Sequence, residues 1–213
     1  MRKRRKTILI TAGPTREHID PVRFISNLSS GRLGYAIAQE AHKRGYRVIL
    51  ISGPTNLPVP LGIKVVHIVS ADELKEKVVQ HFKRAQILFM TSAVCDYRPF
   101  RTVSQKIKRG KDLFLRLTLT DDILKKVSRM KKRQIICGFS LETNDLEERA
   151  FQKLTEKKLD FIVATLFTEK ISPFGDHTMK PLILDKNGCR YTIGYKTKKQ
   201  LAIYLLNLIE RGS

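Results

Sequence analysis

The feature that most constrains the fold is a regular alternation of short apolar runs, rich in β-branched residues, with longer segments of helical periodicity. Parallel strands need crossover helices between them, so this order indicates an α/β fold. Right-handed crossovers would wind the strands into a Rossmann-like, three-layer, open and mostly parallel sheet. Strands are predicted at residues 6–12, 47–52, 64–68, 87–92, 134–139 and 161–166, and helices at residues 31–44, 71–82, 145–158 and 197–210.

Two segments break this alternation and predict antiparallel hairpin additions to the sheet. Lys186-Asn187-Gly188 separates apolar residues 181–185 from residues 189–193, a strong hairpin signal. Segment 106–118 carries Leu113, Leu115 and Leu117 at alternate positions, which is typical of a strand. The whole chain, residues 1–213, is predicted to form a single domain, with residues 1–6 as a solvated basic tail.

The charge and the cysteines restrict the class of protein. The net charge of +21 attracts polyanions, which leaves nucleic acid, an anionic membrane surface and phosphorylated small molecules open, beside a purely solvated role for the basic residues. Apolar runs are too short to span a membrane, which takes about 20 residues. Three distant cysteines, without CxxC spacing, argue against disulfides or zinc and favour a cytoplasmic protein. Each is expected to be a small buried residue: Cys95, Cys137 and Cys189.

The long polar loop between the first strand and the first helix is the strongest candidate for a functional site. It runs from Gly13 to Gly31, at the carboxyl end of a strand, where open α/β sheets bind ligands. The helix N-terminus after it offers free N–H groups to a phosphate, with Ser29 or Ser30 expected as its cap. A GxGxxG fingerprint and a Walker loop are both absent from this loop, which disfavours a nicotinamide-dependent oxidoreductase.

The loop and three later motifs carry a resemblance to a known family. TAGPTREHIDPVRFISNLSSGRLG at residues 11–34, SAVCDYRP at 92–99, KIK at 106–108 and GFSLET at 138–143 follow one another in the order found in phosphopantothenate–cysteine ligases of the bacterial Dfp/CoaBC flavoproteins. The chain resembles their ligase half, without room for the flavin-dependent decarboxylase half. The resemblance implies a ligase of coenzyme A biosynthesis, a homodimer, a possible separate decarboxylase partner and no flavin. It also implies a flap or dimer-facing loop at residues 168–180.

The resemblance implies a two-step reaction that consumes CTP with Mg²⁺. The carboxylate of 4′-phosphopantothenate attacks the α-phosphate of CTP and releases pyrophosphate, and the amino group of cysteine then displaces CMP from the acyl-cytidylate. Catalytic roles fall on Asn27, which matches the asparagine that holds the intermediate, and on Lys106, which serves its conversion. Nucleotide contacts are expected from Asp96, from Phe139 beside the base or ribose, from Lys153 and Lys157 on the triphosphate, and from Gly13, Ser29, Ser30, Gly31 and Ala93. The metal ligands are left unassigned.

Two stretches depart from the family pattern. Leu119-Thr120-Asp121-Asp122-Ile123 stands where the family has Lys-Asn-Pro-Asp-Ile, with Thr120 as a possible cap of the next helix. Ala164-Thr165-Leu166 stands where the family has Ala-Asn-Asp. These changes leave the choice between CTP and ATP open. They also leave two alternatives to an active ligase: a relic that binds nucleotide without turnover, and a basic nucleic-acid-binding protein.

Overall fold

The computed structural model describes residues 5–110, 112–168 and 177–211. Twelve strands and five helices alternate along this part of the chain. The helices are α1 (Arg32–Lys43), α2 (Ala71–Phe82), α3 (Ile123–Met130), α4 (Leu146–Glu156) and α5 (Lys198–Arg211). The strands are β1 (Thr7–Ala12), β2 (Arg16–His18), β3 (Phe24–Ser26), β4 (Arg47–Ser52), β5 (Lys64–His67), β6 (Ile87–Met90), β7 (Tyr97–Pro99), β8 (Leu117–Leu119), β9 (Ile135–Glu142), β10 (Phe161–Leu166), β11 (Leu182–Asp185) and β12 (Arg190–Thr192).

In the described part of the chain, eight of these strands form one sheet in the order β12-β11-β10-β9-β6-β1-β4-β5. The six strands from β10 to β5 are parallel, whereas β11 and β12 run antiparallel at one edge. β1 is buried along its whole length because it lies between β4 and β6 with helices on both faces. The predicted Rossmann-like fold, with its mostly parallel sheet and the hairpin at residues 181–193, is confirmed.

The helices form the two outer layers. α1 and α5 pack on one face of the sheet, over Ile8 and Ile10, and α2, α3 and α4 pack on the other, over Leu9 and Ile136. At the amino ends of the strands, buried Asp160 accepts hydrogen bonds from the amide of Ile136 (2.8 Å) and from Lys131 (2.5 Å), and it pairs with Lys186 (3.1 Å). This cluster joins β9, β10 and the β11–β12 turn.

The structure corrects several local predictions. The described residues of segment 106–118 form no long strand; the strand here is Leu117–Leu119, which pairs with Tyr97–Pro99. Its leucines lack a surface to cover, so Leu113, Leu115 and Leu117 stay exposed. The loop after β1 contains an unpredicted hairpin, β2–β3, whose strands are too short to give a periodic signal. Most of the predicted flap, residues 169–176, lies outside the described residues.

Two helix caps and one cysteine also differ from expectation. α1 begins after Gly31, which has a left-handed backbone (φ 74°), and neither Ser29 nor Ser30 caps it with its side chain. α3 is capped by Asp122, whose carboxylate accepts the amide of Lys125 (2.9 Å), so Thr120 is not its cap. The thiols are unpaired as predicted, but Cys189 is exposed, because it lies at the tight β11–β12 turn. Within the described residues, no helix is long and apolar enough to cross a membrane.

Candidate functional site

A cleft of about 1060 Å³ opens at the carboxyl ends of the central strands. The chain runs from β1 outward to β4 and β5, and then returns to place β6 on the other side of β1. The connections after β1 and β6 therefore diverge at this point, which is where open α/β sheets bind ligands. The cleft is lined by residues 26–34, 90–94, 96–97, 119–124, 139–141, 143, 153, 157, 163, 165, 167, 179 and 198.

The N-terminus of α1 forms one wall of the cleft. A Cβ added at Gly31 would lie 3.1 Å from the backbone nitrogen of Gly13, so the start of the helix lies directly against the end of β1. Gly34 packs just as closely on β1 from the first turn. Ser29, Ser30 and Gly31 line the cleft. The free amides of the first turn can therefore reach an anionic ligand there.

Gly13 lies behind this wall rather than in it. It is buried, has a left-handed backbone (φ 75°) and accepts the amide of Ala93 through its carbonyl (3.0 Å). It is not among the residues that line the cleft. A glycine is required at this point because a Cβ here would lie 2.8 Å from Thr55 and 3.2 Å from the carbonyl oxygen of Gly53.

Asn27 enters the cleft directly after β3. Its amide nitrogen donates to the carbonyl of Val94 (2.8 Å), which leaves the side-chain oxygen and the second amide hydrogen for a ligand. Ser26, just before it, holds the strand by donating to the carbonyl of Thr15 (2.8 Å). The β2–β3 hairpin thus fixes Asn27 against the loop that follows β6.

That second loop carries Ala93 and Asp96, both in the cleft lining. Thr120 holds it from the far side, since its hydroxyl donates to the carbonyl of Cys95 (2.6 Å) and its amide to that of Asp96 (2.9 Å). The carboxylate of Asp96 is exposed to solvent in the cleft. Thr120, at the first departure from the family pattern, therefore supports the loop that presents Asp96.

Two lysines of α4 form the cationic side of the cleft. Lys153 donates to the carbonyl of Phe139 (3.0 Å), and burial, together with the nearby charge of Lys157, lowers its pKa. Lys157 pairs with the carboxylate of Asp122 (2.9 Å). Burial raises the pKa of Asp122, but the amide of Lys125 and the charge of Lys157 outweigh that effect and lower it overall. The charges of Glu142, Asp96 and Asp122 act in the opposite direction on Lys153, although none of them forms an ion pair with it among the described residues.

Lys106, like Gly13, is a predicted site residue that lies apart from the cleft lining. It is exposed on the loop between β7 and β8. The residue after it, Ile107, is held at both backbone groups by the β2–β3 hairpin: its amide donates to Asp20 (3.1 Å) and its carbonyl accepts from Arg23 (2.8 Å). Lys106 is thus carried on an anchored loop that does not close over the cleft here.

The structure adds three polar residues that sequence reasoning did not assign to the site. Thr91, Ser92 and Ser140 line the cleft at the ends of β6 and β9, and Thr165, at the second departure from the family pattern, lines it at the end of β10. The hydroxyls of Ser92 and Ser140 are buried and have no hydrogen-bond partner in the described structure. The signal for these residues was their place at the carboxyl ends of buried parallel strands, where side chains are presented to a ligand.

Comparison with known proteins agrees with this geometry. Residues 3–212 match the model of the DNA/pantothenate metabolism flavoprotein C-terminal domain. The chain is 40% identical over 206 residues to the coenzyme A biosynthesis bifunctional protein CoaBC of Bacillus subtilis (strain 168), covering 96% of this chain and 51% of that protein. It is 40% identical over 207 residues to a cysteine/cysteine sulfinic acid decarboxylase of an unknown prokaryotic organism, covering 96% of this chain and 58% of that protein.

A solved structure gives the same result. The crystal structure of the C-terminal domain of a coenzyme A biosynthesis bifunctional protein CoaBC is 40% identical, with a TM-score of 0.82, and the match covers 97% of this chain and 94% of that chain. The chain spans little more than half the length of the two curated relatives described above. The resemblance inferred from the motifs is therefore confirmed, and the chain belongs to the family of DNA/pantothenate metabolism flavoprotein C-terminal domains.

Proposed function

We propose that residues 1–213 form one domain that joins 4′-phosphopantothenate to cysteine at the expense of CTP, in coenzyme A biosynthesis. The observation that carries the proposal is the cleft itself, which brings Asn27, the N-terminus of α1, Asp96 and the two lysines of α4 to one edge of the sheet. The chain matches about half of a bifunctional protein of coenzyme A biosynthesis, which fits one of two activities.

The first step activates a carboxylate, which is a poor acyl donor at neutral pH. The substrate carboxylate attacks the α-phosphate of CTP, an oxygen–phosphorus bond forms, and pyrophosphate leaves with the bonding electron pair. Catalysis of such a step is mainly positioning and charge neutralisation. The first-turn amides of α1, with Ser29, Ser30 and Gly31, and the ammonium groups of Lys153 and Lys157 would supply both. Phe139 would lie beside the base or ribose.

The second step consumes the acyl-cytidylate. The amino group of cysteine attacks the acyl carbon, the bond to the phosphate oxygen breaks, and CMP leaves as the amine loses a proton. Asn27 can hold a phosphate or carbonyl oxygen of the intermediate through its amide without adding charge. We propose that Lys106 serves this second step, which requires its flexible side chain to reach the cleft from the anchored loop once substrate is bound.

Mg²⁺ fits this site as a companion of the nucleotide. The described residues contain no group of three or more His, Cys, Asp or Glu side chains able to hold a metal on their own. Mg²⁺ keeps several waters and binds through one or two carboxylates together with substrate phosphates. Asp96 is the residue that would hold it, and the bound ion would neutralise charge on the phosphates. Asp96 can alternatively accept from the exocyclic amine of the base.

We propose a homodimer formed through β7, β8 and the loop between them, which we call the β7–β8 arm. Apolar side chains crowd its surface, and Phe114 is 92% exposed and Leu119 67% exposed. Among the described strands, β7 and β8 form a two-stranded sheet of their own, so each leaves an open edge. A second copy of the chain would cover the exposed apolar side chains and pair with the open strand edges. The proposal also includes a cytoplasmic location, a possible separate decarboxylase partner and no flavin bound by this chain.

Product analysis by mass spectrometry tests the reaction. The purified protein is mixed with Mg²⁺, CTP, 4′-phosphopantothenate and cysteine, and we expect phosphopantothenoylcysteine with CMP and pyrophosphate in equal amounts. Asn27→Asp should block formation or handling of the intermediate, and Lys106→Gln should let the acyl-cytidylate accumulate. Lys125→Gln, on an exposed face of α3, is the control.

The alternatives give different results in the same experiments. Nucleotide binding without product, from either CTP or ATP, would identify an inactive relic. Salt-sensitive binding to DNA that is unaffected by Asn27→Asp would favour the basic nucleic-acid-binding protein. Competition between CTP and ATP tests the nucleotide, since equal affinities would remove CTP from the proposal and leave the ligase.

A further inference from the structure

The tip of the β2–β3 hairpin contains a buried carboxylate that the reaction does not use. Asp20 is fully buried, yet it lies in a loop of the cleft edge rather than in the core. Its Oδ1 accepts the amides of Val22 (2.9 Å) and Arg23 (2.8 Å), and its Oδ2 accepts the guanidinium of Arg23 (2.9 Å from Nε) and the amide of Ile107 (3.1 Å). A carboxylate so buried costs free energy unless all its acceptor sites are used, as they are here.

The last of these bonds reaches across 87 positions of sequence to the loop between β7 and β8. Arg23 donates to the carbonyl of Ile107 (2.8 Å), so the ion pair of Asp20 and Arg23 holds both backbone groups of that residue. We call this arrangement of Asp20, Arg23 and Ile107 the clamp. Thr102 and Val103, earlier in the loop, donate to the carbonyls of His18 (3.0 Å) and Ile19 (3.2 Å). The loop is therefore bonded to the hairpin at three points.

The same hairpin leads directly into the cleft. Asn27 follows the end of β3, and Ser26 ties that strand to Thr15 at the base of the hairpin. Lys106 is the neighbour of Ile107 on the other side of the clamp. One rigid hairpin thus connects two side chains that are far apart in sequence and that both belong to the proposed chemistry.

We propose that Asp20, together with Arg23, is a positioning residue that fixes the Lys106 loop relative to Asn27. Its catalytic consequence rests on the proposed ligase function, whereas the clamp itself does not. The hydrogen bonds from Arg23 and from three backbone amides hold the pKa of Asp20 well below its usual range, so the clamp stays charged at every pH at which the protein would work.

Limited proteolysis measures the clamp without any substrate. Trypsin needs an accessible chain at the bond it cleaves, and Asp20 and Arg23 hold the Lys106–Ile107 bond against the hairpin. Asp20→Asn keeps the shape of the side chain but turns an amide toward the donors of Arg23, and we expect cleavage after Lys106 to become at least about tenfold faster. Arg23→Gln should also speed cleavage. Because the side chain of Arg23 is exposed, this variant can be tested even if Asp20→Asn fails to fold. Glu147→Gln removes a surface pair with Arg190 and is the control.

Single-turnover kinetics measure the consequence. We expect Asp20→Asn to form the acyl-cytidylate within about twofold of the wild-type rate and to convert it with cysteine about 10- to 100-fold more slowly, as a displacement of about 1 Å can cost. In the Lys106→Gln background, Asp20→Asn should add little, because the residue it positions is already lost. A merely structural role would slow both steps and would be additive with Lys106→Gln.

The outcomes separate the clamp from the ligase. Wild-type proteolysis rates in folded Asp20→Asn and Arg23→Gln would overturn the clamp. Faster proteolysis with additive kinetics would overturn the positioning of Lys106. If the wild-type protein forms neither acyl-cytidylate nor product, the proposed function fails, and the proteolysis result alone decides whether Asp20 holds the loop.

Discussion

Gly34 offers the most direct test that the cleft depends on how closely α1 approaches the sheet. A Cβ at this position would lie 2.6 Å from the Cβ of Ala12, 2.6 Å from the hydroxyl of Thr91 and 2.9 Å from the carbonyl of Thr11. Ordinary contacts of a Cβ begin at 3.4 Å, and Ala12 and Thr11 belong to the buried central strand. In Gly34→Ala the first turn of α1 must therefore move outward, by about 1 Å, because the strand cannot.

Two opposing terms set the effect on stability. Overpacking costs about 1–3 kcal/mol, and replacing glycine by alanine inside a helix returns about 1 kcal/mol. The net loss is then about 0–2 kcal/mol, which lowers the melting temperature of a chain of this size by at most about 8 °C. Function should suffer far more, since a shift of about 1 Å in a binding wall can cost about 100-fold in rate.

The assay compares thermal unfolding by circular dichroism with ligase kcat/KM, or with nucleotide affinity if turnover is absent. Gly194→Ala is the matched control, because nothing lies within 4 Å of its added Cβ. Gly34→Ala with a slightly lower melting temperature and a large functional loss is the expected result. Wild-type kcat/KM in a folded Gly34→Ala protein would refute the reasoning that the wall at α1 contacts the ligand.

Three further predictions concern charge, assembly and stability. Lys153→Met should weaken nucleotide binding by about 10- to 100-fold, the value of a charge-assisted hydrogen bond, as measured by calorimetry against Lys126→Met. Burial lowers the pKa of Lys153 in the folded protein below its ordinary value of 10.5, so between the folded and unfolded pKa values the unfolded chain binds more protons. The free energy of unfolding of the wild type should therefore rise with pH in that range, and Lys153→Met should remove the rise in urea titrations. Phe114→Asp should convert a dimer into a monomer in analytical ultracentrifugation, whereas Leu61→Asp, at another exposed apolar residue, should not; an unchanged dimer would place the interface elsewhere. Asp160→Ala should destabilise the protein by about 1–3 kcal/mol in urea unfolding, since it leaves the buried amide of Ile136 without its acceptor and removes the ion pair with Lys131, while nucleotide affinity stays as in the wild type.

The sequence predicted the central sheet well because its strands are buried on both faces. β1, β4, β6 and β10 read as continuous apolar runs, and the tertiary structure and local pattern therefore agree. The prediction of a strand around Leu113 was wrong for the opposite reason. Alternating leucines predict a strand only if a surface exists to bury one face, and in the described chain these side chains remain exposed.

The motifs predicted which chain segments form the candidate site, but they did not predict which of their residues line the cleft. Asn27, Ala93, Asp96 and Lys153 lie in one cleft, as the order of strand ends implies. Gly13 carries no such contact, because a glycine motif can serve the close approach of two chain segments as well as a ligand, and sequence does not distinguish these uses.

The β2–β3 hairpin explains why the long loop after β1 has to be long. A phosphate site at a helix N-terminus needs only a short glycine-rich turn. Here the chain instead leaves the sheet, forms a hairpin whose tip buries Asp20, and returns through Asn27 to Gly31. That excursion reaches the β7–β8 loop, which no short turn at the end of β1 could contact. The added residues therefore line the cleft and also connect it to the loop that bears Lys106. This long-range connection depends on tertiary hydrogen bonds, so it leaves no periodic signal in the sequence.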